Sequence, residues 1–217
     1  MKLFIKAFFS VVLLVVTATV FGYFLWYRPK FNHDIKHVLS PEATNVNASV
    51  MLRLKQKAAS IKVYNQADDY NSEYCFLVDM KIPSGRKRFF VYNLKKDSVE
   101  LSGLVTHGSG SDKGTSGLYF SNKPNSNCTS LGKYKIGNSY YGKFGLAFKL
   151  YGLDITNSNA FDRFVVLHAH SCVADDEIDP LPICESWGCP TVSPTFLTAL
   201  KKNINDSDKP LLLWIYY

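Results

Sequence analysis

Between Ala7 and Tyr27 the chain runs 21 residues without a charged side chain. A helix rising about 1.5 Å per residue spans about 30 Å over such a run, the thickness of a hydrocarbon core. Lys2 and Lys6 precede it and Arg28 and Lys30 follow it. Tyr23, Trp26 and Tyr27 lie at its far end, where amphipathic rings favour a membrane interface. A cleaved leader is the rival reading, with Ala18 in a patch of small residues, but the apolar run continues past that patch as VFGYFLWY. The segment therefore predicts one uncleaved N-terminal transmembrane helix over residues 1–27. A polar linker over 28–40 and a folded body over 41–217 follow, and the body is expected on the exported side of the membrane.

Charge narrows what that body does. The formal net charge is +7, but Lys2, Lys6, Arg28, Lys30 and Lys36 against Asp34 put +4 of it into residues 1–36. The remainder mixes both signs, and Arg86-Lys87-Arg88 reads as a solvated turn rather than a phosphate grip, so nucleic acid is not an expected partner. Five cysteines, Cys75, Cys128, Cys172, Cys184 and Cys189, permit two bridges and one free thiol. Cys172 and Cys184 bracket a short loop that a bridge closes in an oxidising compartment, although spacing alone does not assign pairs.

Along the body, Ser40-Pro41 is a helix-start signal, and Met51, Leu54, Ala58 and Ile61 recur at helical spacing to an end near Tyr64. Tyr74 to Ile82 and Lys87 to Leu94 are β-rich runs joined by Pro83-Ser84-Gly85, which predicts a hairpin. Further strands are predicted over Ser98–Thr106, Ala147–Leu153, Phe164–His168 and Leu211–Tyr217, and a helix from Ser193-Pro194 through Leu200. Residues 107 to 145 read as turns. The expected fold class is mainly β, a sandwich or mixed sheets, with peripheral helices.

The chemistry concentrates in FVVLHAH (Phe164 to His170) and ESWGCP (Glu185 to Pro190). An uninterrupted apolar strand delivers His168 at its end, held rigidly as a general base needs to be. Cys189 follows after a polar loop long enough to return the chain, so that a thiol and an imidazole can face each other. An adjacent imidazolium lowers the pKa of a thiol and makes the thiolate available. Gly188 lets the backbone approach a substrate, and its N–H with that of Cys189 can point at a developing oxyanion. Pro190 biases Cys189 away from helical geometry, which leaves the histidine as the candidate activator, and Trp187 can wall the pocket. His170 is a candidate substrate contact or an exposed loop histidine. Asp175, Asp176, Glu177 and Asp179 form an acidic loop that either steers an ammonium or is simply solvated. Arg163 either holds a carboxylate or pairs with Asp162.

The words THGSGSD (Thr106 to Asp112), SLGKY (Ser130 to Tyr134), GLDITNSNAFDRFVVLHAH (Gly152 to His170) and SWGCPTVS (Ser186 to Ser193) resemble the murein L,D-transpeptidase catalytic domain. The resemblance covers residues 45 to 217. It implies that Cys189 accepts the acyl group of a peptidoglycan stem peptide, that His168 is its base, and that the carbonyl of Ala169 orients the imidazole. Ser186 and Gly188 match the family words beside the nucleophile, and His107 matches another, read as structural or pocket-lining. It further implies a bacterial envelope location, inner-membrane-anchored with the domain in the periplasm, no metal or organic cofactor, and susceptibility to covalent carbapenem-type inhibitors. Two positions depart from the wider family: Trp187 stands where most members have histidine, and Thr191 where many have Arg or Asn.

Rival readings are a hydrolytic carboxypeptidase or endopeptidase on the same scaffold, a sortase-like transpeptidase, and a catalytically inactive wall-binding module. The sortase chemistry wants an arginine after the nucleophile, and none follows Arg163. A zinc site drawn from His168, His170, Cys172, Cys184 and Cys189 has no strong Cys-x-x-Cys pair behind it.

Overall fold

The computed structural model describes residues 2–23, 25, 47–65, 69–114 and 117–217. The chain divides into two compact units, Met1–His37 and Val38–Tyr217. The first contains helix α1 (Lys2–Gly22), 21 residues long. This differs from the span expected over Ala7–Tyr27, which continues through residues outside the described set. Among the described residues no helix is long and apolar enough to cross a membrane. The linker over 28–40 and the Ser40-Pro41 helix start also lie outside the described residues.

In the second unit, helix α2 (Ala48–Tyr64) begins at Asn47, whose side chain accepts the Ser49 N–H. Its buried stripe is Leu54, Ala58 and Ile61, as the spacing predicts. Strands β1 (Tyr74–Asp79) and β2 (Phe89–Asn93) form the expected antiparallel hairpin, with Phe76 opposite Val91. β3 (Ser98–Gly103) pairs with β2. β4 (Gly132–Gly142), β5 (Gly145–Gly152), β6 (Val166–Ala169), β7 (Thr191–Val192) and β8 (Leu212–Tyr216) complete one eight-stranded mixed sheet. Its order is β3-β2-β1-β8-β4-β5-β6-β7, with β1–β8 and β6–β7 parallel. The sandwich alternative is not realised, because every strand joins one hydrogen-bonded sheet. The stretch read as turns contains β4, whose Gly, Ser and Asn residues hide its alternating burial at Gly132, Tyr134 and Ile136.

Both faces of this sheet are covered, so period-2 alternation divides its side chains between two cores. Cys75, Leu77, Phe90 and Tyr92 pack with the α2 stripe. Phe76, Val78, Phe89 and Val91 pack on the opposite face with Phe196, Leu197 and Leu200. Those three belong to helix α3 (Pro194–Asn205), which has Ser193 as N-cap and Pro194 in its first turn, as predicted, but runs past Leu200. One correction concerns the basic run at 86–88. Arg86 is exposed, yet Arg88 is 1% exposed and donates to the carbonyls of Val105 and Ile82. It is a core cation rather than a turn residue, and burial lowers its pKa to about 10.

Candidate active site

The site forms at the edge of the sheet where β5, β6 and β7 meet. In the β5–β6 ladder Ala147 faces His168 and Lys149 faces Val166, and the parallel β6–β7 pair sets His168 opposite Thr191. Cys189 lies in a bend just before β7, and no helix starts there, as Pro190 predicts. Its thiol donates to the Phe164 carbonyl at 3.7 Å and accepts the Val166 N–H at 3.5 Å. The thiol thus meets β6 through the backbone at its start, two positions before His168. Cys189 and His168 both line a cavity of about 750 Å³.

The tautomer of His168 follows from its neighbours. Nδ1 lies 3.1 Å from the Ala169 carbonyl, which can only accept, so Nδ1 carries the proton. This contact coincides with the orienting role that the resemblance implies for Ala169. The Nε2 lone pair then accepts from the Thr191 hydroxyl at 3.0 Å. That hydroxyl has a second acceptor, the Cys189 carbonyl, at 3.5 Å. Burial pushes the His168 pKa down, against the pull of the Ala169 carbonyl. Burial also pushes the Cys189 thiol up, opposed by the Val166 N–H and the charge of Arg163. Both shifts favour a resting pair of neutral thiol and neutral imidazole.

Hydroxyl groups pin the backbone of Cys189. The Cys189 carbonyl accepts from Ser186 at 2.7 Å and from Thr106 at 3.1 Å. Ser186 Oγ also accepts the Gly188 N–H at 3.1 Å, so the amide predicted as an oxyanion donor is occupied in this structure. Gly188 has φ 107°, and a Cβ there would meet the Cys128 carbonyl at 2.6 Å, so conformation and close approach both demand glycine. Arg163 Nη2 donates to that same carbonyl at 2.7 Å, and Nη1 donates to the Ser121 carbonyl and to Ser130 Oγ. It therefore ties the 121–130 loop to the site; among the described residues it holds no carboxylate.

Trp187 and the exposed His170 line the cavity. His170 accepts the Cys172 N–H at 3.2 Å, and the Phe144 ring stacks on His168 with centroids 4.8 Å apart. The acidic loop 175–179 does not line the cavity, and Glu177 instead caps the Lys87 N–H at 2.8 Å. His107 lies outside the cavity lining, buried at 7% exposure, with its carbonyl accepting the Ser186 N–H at 2.9 Å. Cys172 and Cys184 form a disulfide, which withdraws both from any zinc set, while Cys75, Cys128 and Cys189 are free.

His107, Asp112 and Glu185 bring three ligand-type atoms within 4.8 Å of one another. The proton count argues against a cation there. Arg88 Nη2 lies 3.0 Å from His107 Nδ1 and can only donate, so Nδ1 is the acceptor and Nε2 bears the hydrogen. Nε2 is the atom that faces Glu185 Oε1, at 3.5 Å, and a metal would need it bare. Burial and the neighbouring Asp112 raise the Glu185 pKa, consistent with two carboxyl groups in contact.

What sequence reasoning missed here is the partner of each candidate side chain. The Thr191 hydroxyl at the imidazole, the backbone of 164–166 at the thiol, and Arg88 behind His107 all depend on strand register, which spacing does not reveal.

Residues 45–216 match the family described as the L,D-transpeptidase catalytic domain. Solved structures similar to the chain include the L,D-transpeptidase from Xylanimonas cellulosilytica, at 15% identity over 75% of this chain and 77% of that one, TM-score 0.37. Another is the helical cell shape determining protein Pgp2 from Campylobacter jejuni, at 12% identity over 76% and 54%, TM-score 0.41. A third is Bd1075 from Bdellovibrio bacteriovorus, at 19% over 66% and 48%, TM-score 0.38. The chain thus spans about half the length of the latter two. No curated protein matches the chain in sequence.

Proposed function

Because the chain belongs to the L,D-transpeptidase catalytic domain family, we propose that it is a cell-wall cysteine acyltransferase acting on peptidoglycan stem peptides, with Cys189 as nucleophile and His168 as base. We assign it further to a subgroup marked by Ser186-Trp187-Gly188-Cys189-Pro190. The observation that carries the reading is the presence, in the lining of one cavity, of a free thiol and an imidazole whose Nδ1–H is fixed by the Ala169 carbonyl. Such fixation leaves Nε2 as the only proton acceptor on the ring.

In the first step the Thr191 hydroxyl turns from Nε2 to the Cys189 carbonyl, its second acceptor. Nε2 takes the thiol proton and sulfur bonds to the carbonyl carbon of the stem's diamino acid. Gly188 N–H leaves Ser186 for the oxyanion, whose stabilisation by one such donor is worth about 3 kcal/mol. The intermediate collapses, His168 returns its proton to the departing D-alanine amine, and a thioester remains. In the second step the side-chain amine of another stem attacks that thioester. His168 takes the amine's proton and passes it to the leaving thiolate. Water in place of the amine gives hydrolysis.

The disulfide between Cys172 and Cys184 supports placing this body outside the cytoplasm, where such bonds persist. A tether through residues 7–27 rests on sequence alone, and sedimentation of the full chain with membranes after an alkaline wash tests it. For the chemistry, the full chain is incubated with a carbapenem and its intact mass measured. One covalent adduct is expected on Cys189, absent in Cys189→Ala and strongly slowed in His168→Gln; an unchanged mass overturns the proposal in favour of a wall-binding module. Incubation with defined tetrapeptide muropeptides then separates transfer from hydrolysis. Dimers joined between diamino acids mean transfer, and trimmed monomers mean hydrolysis.

A further inference from the structure

Four aromatic residues, Tyr140, Phe144, Phe164 and Trp187, line the cavity that holds Cys189. Trp187 is 75% exposed and Phe164 83% exposed. Burying a side chain of this size is worth about 1.5–3 kcal/mol, so a rim of rings left in water is unfavourable unless something covers it.

Phe164 is the most telling. Its φ is 56°, in the left-handed region that bulky residues avoid. The backbone conformation has its own explanation, since it brings the Phe164 carbonyl to the thiol. Glycine or asparagine provides that backbone with less strain. The chain nevertheless carries phenylalanine there and leaves the ring in solvent in the lining of the cavity that holds Cys189, an outlier of the kind that marks functional sites. Trp187, next to Gly188, is likewise left exposed in the lining of the same cavity.

We propose that this rim binds the aminosugar of a glycan-linked stem peptide, so that the domain prefers stems still attached to saccharide over free peptides. The inference rests on the function proposed above. The C–H face of a hexosamine packs flat on an aromatic ring while its hydroxyl and amide groups point outward. Outward groups need donors and acceptors of both kinds, and Asn125, Asn127, Asp162 and Lys143 line the same cavity. A lipid surface selects cations around its aromatics and disfavours an acid such as Asp162. Reach also fits. The reacting carbonyl belongs to the third stem residue, so at about 3.3–3.6 Å per residue the sugar lies about 10 Å from the sulfur. Phe164 touches the sulfur through its carbonyl, Trp187 is two positions from Cys189, and both side chains line the same cavity, so the rim belongs to the surroundings that the stem has to cross.

The test measures binding, so it does not depend on turnover. Full-length Cys189→Ala protein is titrated calorimetrically with a disaccharide-tetrapeptide and with the same tetrapeptide lacking sugar. The glycan-linked ligand is expected to bind at least about tenfold tighter, a difference of about 1.4 kcal/mol. Trp187→Ala and Phe164→Gly, the latter suited to the left-handed backbone, are each expected to cut that advantage below about threefold. Equal affinity for the two ligands overturns the inference and leaves the proposed function standing. So does a sugar advantage that both substitutions leave intact. Binding to phosphatidylcholine vesicles that the same substitutions abolish, without a sugar advantage, overturns it in favour of membrane contact. Failure of both ligands to bind overturns this inference and the proposed function together.

Discussion

His107 and His168 are buried almost equally, at 7% and 6% exposure, and burial pushes both pKa values down. What separates them is the partner at Nδ1. Behind His107 stands Arg88, a buried cation that can only donate, so the ring's acceptor nitrogen is permanently filled and its proton sits on Nε2. Behind His168 stands a carbonyl, so the proton sits on Nδ1 and Nε2 keeps its lone pair. The partner at Nε2 is then a hydroxyl with somewhere else to go. Equal burial therefore leaves one imidazole with its acceptor nitrogen filled and the other with an acceptor nitrogen that can be released, as the base role proposed for His168 requires. The lesson is that the second nitrogen's partner, rather than burial, assigns the role.

The sharpest way to break this contrast is to remove each ring. His168→Gln is expected to slow carbapenem acylation by about 10³-fold, within the range for general-base removal. His107→Gln is expected to keep the acylation rate per folded molecule within about threefold, under 1 kcal/mol. Time-resolved intact-mass measurement reads both; equal losses would erase the distinction. Next in size is Arg88→Met, which strips the donor from the Val105 carbonyl, the Ile82 carbonyl and His107 Nδ1. Unsatisfied buried acceptors cost about 1–3 kcal/mol each, partly offset by no longer burying a charge, so a net loss of about 3 kcal/mol is expected in urea unfolding.

Acid titration sharpens the comparison further. His107 titrates near pH 4 when folded and near its ordinary 6.5 when unfolded. Below pH 6.5 the unfolded chain takes up a proton that the folded one refuses. Stability is therefore full above that pH and falls as pH drops toward 4, by at most about 3 kcal/mol. His168 shifts in the same direction and adds to the slope, while Glu185, shifted upward, opposes it. His107→Gln is expected to flatten most of the slope between pH 6.5 and 4 in urea unfolding. The slope would persist if burial and the neighbouring Arg88 were not holding the ring neutral.

Much of this was legible beforehand where one residue type does one job. The α2 stripe, the β1–β2 hairpin, the Ser193-Pro194 cap and the order of His168 before Cys189 follow from periodicity and local chemistry. What escaped reading depends on non-local pairing. Strand β4 was hidden because a strand rich in Gly, Ser, Asn and Tyr carries turn-like composition. Arg88 looked like a surface residue because its neighbours Arg86 and Lys87 are basic, yet it points into the core from the start of β2. Phe164 was expected inside a strand, but the strand begins at Val166, and the left-handed backbone of Phe164 turns its carbonyl to the thiol instead. Thr191 was visible only as a departure from the family pattern, because its contact with His168 exists only in the parallel β6–β7 register.

That contact gives the smallest expected effect and the finest test of the contrast. Thr191→Val keeps a branched side chain in a site only 3% exposed but removes the hydroxyl. Ser186 and Thr106 still hold the Cys189 carbonyl, so the backbone there stays anchored. Nε2 then has no resting donor, and the thiol proton becomes its natural partner. The thiolate population at neutral pH should rise, and iodoacetamide alkylation of Cys189 should speed up by about three- to fivefold, less than 1.4 kcal/mol. Its pH profile should move toward lower pH, while Thr191→Ser, which restores the hydroxyl, should behave as the parent. A merely structural threonine leaves the profile in place. Slowing beyond about tenfold would mean that the hydroxyl carries the proton between sulfur and nitrogen. In that case His168 would be held by its partner as firmly as His107 is, for the opposite purpose.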